Sequence, residues 1–406
     1  MPLSLKPAIA GLALALCIAP AGAIELTGRA SLLGLVAKPA AGDSGFIEGE
    51  SEYLTADQIG LRLMLDEIRE HAEWSVHVRT TRQHFDGFPS AAVHSSDLFR
   101  YQDLRDNWLD QRDDNGATRA GIELDHAYYK RQVDNFTFTL GRQPVDWGSG
   151  RLWQPLNLFG AFAPTDLDTD YKPGIDGVTL DWYPSPHASV TTAYIVSPQG
   201  DAALEDSLAT YYRRQVGEQS EIGLAAGSIS GNQVVGGSFE SAWRGIGWRI
   251  EGAHYDLEES DDKGLFYIAG IDYQFEEGTL LALEWYHNHF GVKEQMALAD
   301  EITDPLVVFQ LQPLLGRRAL GISVNNDITP LLRGTYLLLA SSLKDMDNDH
   351  RRSFMHQVNF VYSVSDEADF LVSALWGTGD GLDDGRLRSE FGHVPKSLTL
   401  RFRYYF

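Results

Sequence analysis

The chain has 406 residues, 43% of them hydrophobic, and a formal net charge of −24 at pH 7. So acidic a composition disfavours the basic surface that a nucleic-acid partner requires. Beyond the first residues no run of 18 apolar residues occurs, which excludes a membrane-spanning helix.

The N-terminal segment, residues 1–23, has the pattern of a secretory signal peptide. Lys6 precedes the apolar run AIAGLALALCIAP, and the small residues A-G-A at 21–23 form a cleavage site. Cys17, inside this segment, is the only cysteine of the chain. We therefore expect a mature chain of residues 24–406 that forms one domain without thiols or disulfides.

Beyond residue 24 the sequence consists of short segments in which apolar and polar residues alternate. These segments are about the length of strands that cross a membrane, roughly 9 to 11 residues. Eighteen of them occur, and an even number allows antiparallel closure with both chain ends on one side. Sixteen strands is the alternative, because the segments at 208–216 and 318–326 alternate least clearly. The eighteen candidates are 25–37, 58–67, 73–84, 121–132, 135–143, 175–183, 188–196, 208–216, 219–229, 233–243, 246–256, 263–274, 279–289, 318–326, 333–344, 353–364, 367–377 and 396–406.

The connections between these segments differ systematically in length. Those after even-numbered segments are short, such as REHA and VDN. Most of those after odd-numbered segments are long, and the largest span 38–57, 85–120, 144–174 and 290–317. Short periplasmic turns and long extracellular loops produce this pattern in outer-membrane barrels. The sequence therefore predicts an all-β transmembrane antiparallel barrel, monomeric in outline, in contact with outer-membrane lipid and lipopolysaccharide.

The segment at the C-terminus, SLTLRFRYYF, alternates strictly between its two faces. Apolar side chains from Leu398 to Phe406 lie on one face, and Arg401 and Arg403 lie on the other. This segment resembles the closing strand of bacterial outer-membrane barrels, which serves as an assembly signal. The resemblance implies that the barrel assembly machinery recognises Phe406.

Strand parity assigns a set of polar side chains to the lumen. Exposing a charge to lipid at the bilayer midplane costs about 2 to 4 kcal/mol, so the polar face must turn inward. A barrel of 16 to 18 strands is wide enough to hold water. Arginines gathered inside an acidic protein would attract anions, although such residues also brace one another. The predicted inward residues are Arg29, His77, Arg79, Glu123, Asp125, Tyr129, Arg131, Asp181, Arg249, Glu251, Arg401 and Arg403.

The stretch LGRQPVDWGSGRLWQPLN, residues 140–157, interrupts this alternation. Unbroken parity would turn Arg142 toward lipid, so we predict a bulge at Gly141 that returns it to the lumen. Pro144 then ends strand pairing.

The following segment, 144–174, is predicted to fold into the lumen. Gly148 and Gly150 permit a sharp turn there. Two interpretations remain open: a constriction loop that selects solutes, or a packed plug that braces the barrel. The segment would carry Asp146, Trp147, Arg151 and Trp153 into the pore.

A family resemblance covers Leu140 to Tyr183. The runs LGRQPVDWGSGRLW and YKPGIDGVTLDWYP resemble a strand-loop-strand pattern of the alginate-export-type outer-membrane barrels and related porin-like proteins. The resemblance implies eighteen strands and an arginine-lined lumen that passes an anionic polysaccharide, with Arg142 and Arg151 as pore residues. The intervening FAPTDLDTDYKPG departs from the family pattern, which leaves the substrate open.

Two acidic clusters are weak candidates for binding a metal ion. Alternate carboxylates can share a hard cation such as calcium. Neither cluster continues into the glycine and glutamate of an EF-hand loop, so we expect no cofactor beyond loosely bound calcium. Solvated loops, or loose bridging of lipopolysaccharide cations, are the alternative. The clusters are Asp166, Asp168 and Asp170, and Asp345, Asp347 and Asp349.

The motifs favour transport over catalysis. The chain has no G-x-S-x-G elbow, and its GTGDG run lacks the lysine of a phosphate loop, so we predict no enzyme activity. No nucleotide motif supplies energy. The prediction is a passive porin-like channel for a small anionic solute. Export of an anionic polysaccharide is one alternative, and a structural sheath around a periplasmic partner such as a redox carrier is another.

Overall fold

A computed structural model describes residues 24–39, 53–86, 98–102, 104–113, 116–198, 204–258, 262–301, 312–383 and 386–406. The predicted signal peptide lies outside the described residues. Within them almost every regular element is a β-strand. No described helix has the length and apolarity needed to cross a membrane.

Between the strands the described helical elements are a 3₁₀ turn at Gln295–Ala297 and the helix α1 at Leu298–Glu301 that follows it. The strands are β1 (Glu25–Lys38), β2 (Leu54–Arg69), β3 (Ala72–Asp86), β4 (Arg105–Asp113), β5 (Gly116–Val133), β6 (Phe136–Gln143), β7 (Ile175–Ser185), β8 (Ala188–Ile195), β9 (Ser207–Gln215), β10 (Glu221–Ile229), β11 (Asn232–Trp243), β12 (Ile246–Asp256), β13 (Lys263–Gln274), β14 (Leu280–Asn288), β15 (Arg318–Thr329), β16 (Leu332–Lys344), β17 (His350–Ser365), β18 (Ala368–Thr378), β19 (Leu382–Asp383), β20 (Arg386–Leu387) and β21 (Lys396–Tyr405).

Eighteen of these strands close into an antiparallel barrel. Barrel strands that follow one another along the chain pair with each other, and β1 pairs with both β2 and β21. At the closing seam the Gly28 amide donates to the Phe406 carbonyl at 2.7 Å, and the Phe406 amide donates back at 3.0 Å. The predicted eighteen-stranded fold is confirmed. The two weakest candidates correspond to β9 and β15, so the sixteen-strand alternative is wrong.

Strand β4 is absent from the prediction, which placed it within the 85–120 loop. It pairs with the first part of β5, over Gly116–Glu123. Strand β6 pairs with the last part of β5, over residues 127–133, on the same edge. Strands β4 and β5 form a hairpin that extends the wall above the end of β6. The β4 sequence, RDNWLDQRD, is polar on both faces. No alternation of apolar and polar residues therefore marks it as a strand.

The outer wall is apolar, as a lipid-facing surface must be. Its exposed side chains alternate along each strand with buried inward ones, for example in β6 and β21. Exposed aromatic residues gather near the ends that carry the short turns, like the aromatic girdle of membrane barrels. Side chains of this outer surface include Leu32, Leu63, Leu140, Leu224, Val235, Ile250, Leu400, and the aromatic Trp74, Trp182, Trp243, Phe402 and Tyr404.

A bulge in β5 reverses the side-chain direction that parity predicts for its lower half. His77 pairs with His126 and Val78 with Leu124, so Asp125 is an extra residue in β5. Beyond this bulge Arg131 lies opposite Phe138, whose side chain is exposed on the outer wall. Directly opposed residues share a face of the sheet. The assignment of Arg131 to the pore is therefore wrong.

Tyr129 moves to the outer face for the same reason. It lies opposite Trp74 across the β3–β5 pair, and the two ring centroids are 4.4 Å apart. Trp74 is exposed on the lipid side. The one-residue insertion thus turns both predicted lumen residues of this strand end outward.

Candidate functional site

The inner wall carries a row of arginines on adjacent strands. Arg29 of β1 lies directly opposite Arg62 of β2, which lies directly opposite Arg79 of β3. On the other side of β1, strand β21 contributes Arg401 and Arg403. Like charges placed opposite one another destabilise a sheet, so this arginine row needs countercharges.

The barrel wall supplies part of that countercharge on the β5 side. Arg62 contacts Asp125 at 2.5 Å, and Arg79 contacts Glu123 at 2.7 Å. Arg100, from the segment that precedes β4, bridges both carboxylates at 2.5 and 3.0 Å. These groups are almost fully buried, apart from the partly exposed Arg79. They form a fixed network in which each charge has a partner.

The 144–174 loop supplies further countercharge from inside the lumen, while Asp369 of β18 pairs with Arg403 at 3.0 Å from the wall. Asp168 accepts hydrogen bonds from both terminal nitrogens of Arg29, at 2.8 and 2.7 Å. Asp170 contacts Arg29 at 2.8 Å and Arg403 at 2.5 Å, and accepts a hydrogen bond from the Tyr405 hydroxyl at 2.7 Å. Two β-strands and one irregular loop thus meet at a four-charge cluster.

The loop carboxylates, rather than the arginines, face the open lumen. The side chains of Asp168 and Asp170 are 43% and 32% exposed, against 8% for Arg29 and 10% for Arg403. Burial acts to raise the pKa of Asp168, but the hydrogen bonds from Arg29 outweigh it and hold that pKa below its usual value. Both carboxylates are therefore ionised at neutral pH.

Arg401 is the member of the row with the weakest countercharge. It donates to the main-chain carbonyl of Leu167 in the loop, and its nearest charged contact is Asp369 at 3.9 Å. Its side chain is 4% exposed, and its Nε atom has no hydrogen-bond partner among the described residues. Arg401 thus keeps an unpaired donor beneath the loop.

An aromatic side chain of the loop covers the same part of the row. The Tyr171 ring lies 5.0 Å from the Arg29 guanidinium and 4.4 Å from that of Arg62. Cations over an aromatic face at these distances are stabilised by its negative electrostatic potential. The neighbouring carbonyl of Lys172 is 2.8 Å from His126 Nε2 on β5. The segment 168–172 is thereby held across the arginine row.

The first half of the loop is anchored to the opposite wall by Glu284 of β14. Its carboxylate accepts hydrogen bonds from the amides of Arg151, Leu152 and Trp153 at 3.0, 3.1 and 2.8 Å. The Trp153 ring packs 5.1 Å from that of Tyr286 and is 2% exposed. Trp153 therefore belongs to a packed apolar cluster.

Glu251 of β12 provides a second anchor of the same kind. It accepts hydrogen bonds from the amides of Ser149 and Leu156, at 2.5 and 2.8 Å. Nearby, the Trp147 ring lies 5.4 Å from that of Tyr211 on β9. These contacts place 147–156 inside the barrel, with an apolar side against the wall.

Arg142 is buried in the seam between β5, β6 and β7. It forms two hydrogen bonds with Asp176, both at 2.7 Å, and donates to the carbonyls of Leu124 and Gln102. The strand register passes through Gly141 without a shift, so the predicted bulge is wrong. A positive φ of 118° at Gly141 makes the local break instead.

The other predicted loop residues lie apart from the arginine row. Arg151 has a half-exposed side chain 3.6 Å from Asp272. Asp146 contacts the buried Lys172 at 2.7 Å. Of the predicted pore residues, the structure brings together Arg29, Arg79, Arg401 and Arg403, and separates Arg131, Arg142, Arg151, Asp146, Trp147 and Trp153 from them.

The acidic clusters are engaged in internal contacts. The Asp166 carboxylate accepts a hydrogen bond from the Ala163 amide. Asp345 accepts hydrogen bonds from the amides of Asp347 and Asp349, both at 2.9 Å, and from Arg351 at 2.8 Å. Among the residues that the structure describes, no three His, Cys, Asp or Glu side chains form a metal-binding group.

Three residues of this site, Arg62, Glu284 and Arg100, are absent from the predicted pore residues. Arg62 alternates with Leu61 and Leu63, so the signal for an inward side chain was present. Glu284 alternates with Leu283 and Trp285, so the same signal for an inward side chain was present. Arg100 lies in an irregular segment, where periodicity carries no information.

Solved structures with the same fold are outer-membrane porin channels of the Occ/Opd group. OccAB4 of Acinetobacter baumannii has a TM-score of 0.59 at 7% identity, covering 94% of this chain and 98% of its own. OpdK of Pseudomonas aeruginosa, solved with vanillate, has a TM-score of 0.53 at 10% identity, covering 94% and 98%. OccAB3 of A. baumannii has a TM-score of 0.58 at 9% identity, covering 94% and 99%.

At identities this low, the comparison shows that the fold is shared and no more. The neighbours support the outer-membrane porin fold and a multi-pass barrel of the outer membrane, and do not support the alginate-export type. No protein-family model and no curated protein matches the chain.

Proposed function

We propose that the protein is an outer-membrane channel for the passive passage of a small anionic solute. The observation that carries this proposal is the placement of Arg29, Arg62 and Arg79 directly opposite one another on the inner wall. Three adjacent like charges cost stability. A binding role for the row explains why a membrane protein would keep that arrangement.

The mechanism combines electrostatic attraction with steric selection. Cationic groups lining a low-dielectric passage raise the local concentration of anions. The loop narrows the passage and places Tyr171 beside the row, where its ring offers an apolar contact. Because the arginines already have carboxylate partners, solute binding is weak and release is rapid, as conduction requires.

The solved neighbours support a channel, and the OpdK structure with vanillate supports a carboxylate as the solute class. The sheath hypothesis is less favoured. The loop occupies the lumen and is fixed to β12, β14, β17 and β1 by hydrogen bonds. A partner protein would need the same space.

Planar-bilayer recording of the purified barrel tests this function. We expect discrete conductance steps, and an anion-to-cation permeability ratio that falls several-fold in the Arg401→Ala/Arg403→Ala double variant. Arg131→Ala is the matched control, because that arginine lies on the outer face at the strand end. A barrel that inserts but never conducts, or a ratio identical in all three proteins, would refute the proposal.

A further inference from the structure

Asp168 and Asp170 present to the arginine row the same chemical group that an anionic solute would present. We propose that they are tethered competitors, which occupy a carboxylate site that the solute enters by displacing them. The inference rests on the proposed function and specifies how its site is regulated.

The contact between Arg29 and Asp168 has the geometry of carboxylate recognition. Two terminal nitrogens of the guanidinium donate to the two oxygens of one carboxylate, at 2.8 and 2.7 Å. This paired arrangement is the specific way in which arginine binds a free carboxylate. A small carboxylate could therefore replace Asp168 without any change in the wall.

The two halves of the loop differ in how firmly they are held. Residues 145–159 contribute seven side chains to the buried apolar cluster of the lumen. The segment 164–171 contributes none to that cluster and contains no helix or strand. Its described attachments to the wall are hydrogen bonds and ion pairs, including the 3.0 Å hydrogen bond from Gln357 to the Thr165 carbonyl, and the contacts of the Tyr171 ring with Arg29 and Arg62. Displacing this segment exposes little apolar surface.

The wall carboxylates are held more firmly than the loop carboxylates. Asp125 and Glu123 belong to β5, which pairs with β3 on both sides of Asp125. Only Asp168 and Asp170 can leave the row while the barrel remains closed. The arginines then lose their lumen-side partners, and the uncovered charge is available to a solute.

A tethered group competes as though it were dissolved at high concentration. For short flexible tethers the effective concentration is on the order of millimolar. A solute carboxylate therefore binds only when it is abundant or makes further contacts, such as stacking on Tyr171. Once it leaves, the loop carboxylates return to the row. This competition favours rapid release over tight retention.

Benzoate binding and benzoate block of chloride current test the inference, with neutral benzamide as the probe control. In Asp168→Asn/Asp170→Asn we expect calorimetric affinity for benzoate to rise about tenfold, because removing a charge-assisted competitor is worth that factor. The half-blocking concentration should fall correspondingly. Asp146→Asn, in the same loop but paired with Lys172, should match the wild type. Unchanged or weaker benzoate affinity in the double variant overturns the inference.

A cross-link separates competition from a general loosening of the loop. In a Thr165→Cys/Gln357→Cys variant, joining the two thiols with a short cleavable bismaleimide should hold the segment on the row. We expect benzoate affinity to drop several-fold and to recover after cleavage, with chloride steps retained. Equal affinity before and after cleavage would contradict displacement. Conducting channels with unchanged benzoate binding refute only this inference, whereas a barrel without conduction refutes the proposed function.

Discussion

Arginines of this barrel take different roles because their neighbours differ. Arg142 has two carboxylate contacts and two carbonyl contacts, and its side chain is 2% exposed. Arg401 has one carbonyl contact and a carboxylate at 3.9 Å. A guanidinium whose donors are satisfied by the protein acts as a brace, whereas one with spare donors can bind a ligand.

Arg142→Ala should therefore weaken the barrel without changing its selectivity. The substitution leaves the Asp176 carboxylate without the ion pair that holds it, at a cost of about 3 kcal/mol in the free energy of unfolding. Urea unfolding in micelles measures this loss, and bilayer reversal potentials measure selectivity. A changed permeability ratio with unchanged stability would contradict the bracing role.

At the scale of elements, strands and loop depend on one another. Glu251 and Glu284 project from β12 and β14 and receive main-chain amides of the loop. An irregular segment leaves its amides without strand partners, and buried amides must be satisfied. The wall carboxylates meet that need and fix where the loop lies.

Glu284→Ala should release the first half of the loop. Three amides lose their acceptor, and each unsatisfied buried group costs about 1 to 3 kcal/mol. We expect larger and noisier single-channel conductance, and greater accessibility of Trp153 to a fluorescence quencher. Glu221→Ala is the control, because Glu221 contacts Arg213 near a periplasmic turn. Conductance equal to wild type in Glu284→Ala would refute this anchoring role.

A second pair of loops is joined by a carboxyl group that is sensitive to pH. Complete burial raises the pKa of Glu390 to about 7, although the amides of Leu315 and Gly316 donate to it at 2.9 and 2.5 Å. Nearby Glu301 raises that pKa further. The pKa of Glu390 in the folded protein lies above the ordinary value of 4.5. Its protonated carboxyl therefore stabilises this contact fully at pH values below 4.5, and that stabilisation is lost as the pH rises through about 7.

The amides of Leu315 and Gly316 should accordingly exchange faster at about pH 8 than at about pH 5, after correction for intrinsic rates. Glu390→Gln should remove most of this difference, because the amide side chain does not titrate. Hydrogen exchange with mass spectrometry provides the measurement. A pH difference of the same size in the variant would show that another group is responsible.

At the scale of the whole molecule, the closing seam determines whether a barrel exists. Phe406 covers Gly28 on the outer wall, where an added Cβ would overlap its ring. Residue 28 therefore has to be small if the last residue of the chain is to complete the wall. Among the described residues, closure gives each of the eighteen barrel strands a paired neighbour on both sides, which is the condition for a sheet in lipid.

Gly28→Val should reduce the fraction of barrel that closes. The larger side chain displaces the Phe406 ring and strains the hydrogen bonds of the seam. Heat-modifiable migration of outer-membrane extracts measures the folded fraction. Gly34→Val is a matched control on the same strand, because no described atom lies within 4 Å of an added Cβ there. Equal folded fractions in both variants would exclude this steric role.

The sequence by itself determined the barrel, because a wall between lipid and water imposes a period of two on each strand. Loop lengths and the alternating segments identified all eighteen barrel strands, including β9 and β15. β4 escaped prediction because both its faces are polar, and Arg131 was misplaced because an inserted Asp125 changes parity without a sequence signal.

Only the tertiary structure decided which charges meet. Asp168 and Arg29 are separated by 139 positions, yet form the central pair of the candidate site. Periodicity describes neighbours along one strand, whereas this pair depends on barrel closure and on the path of an irregular loop. The sequence therefore predicted a pore with arginines inside, and the fold showed that the protein's own carboxylates already occupy them.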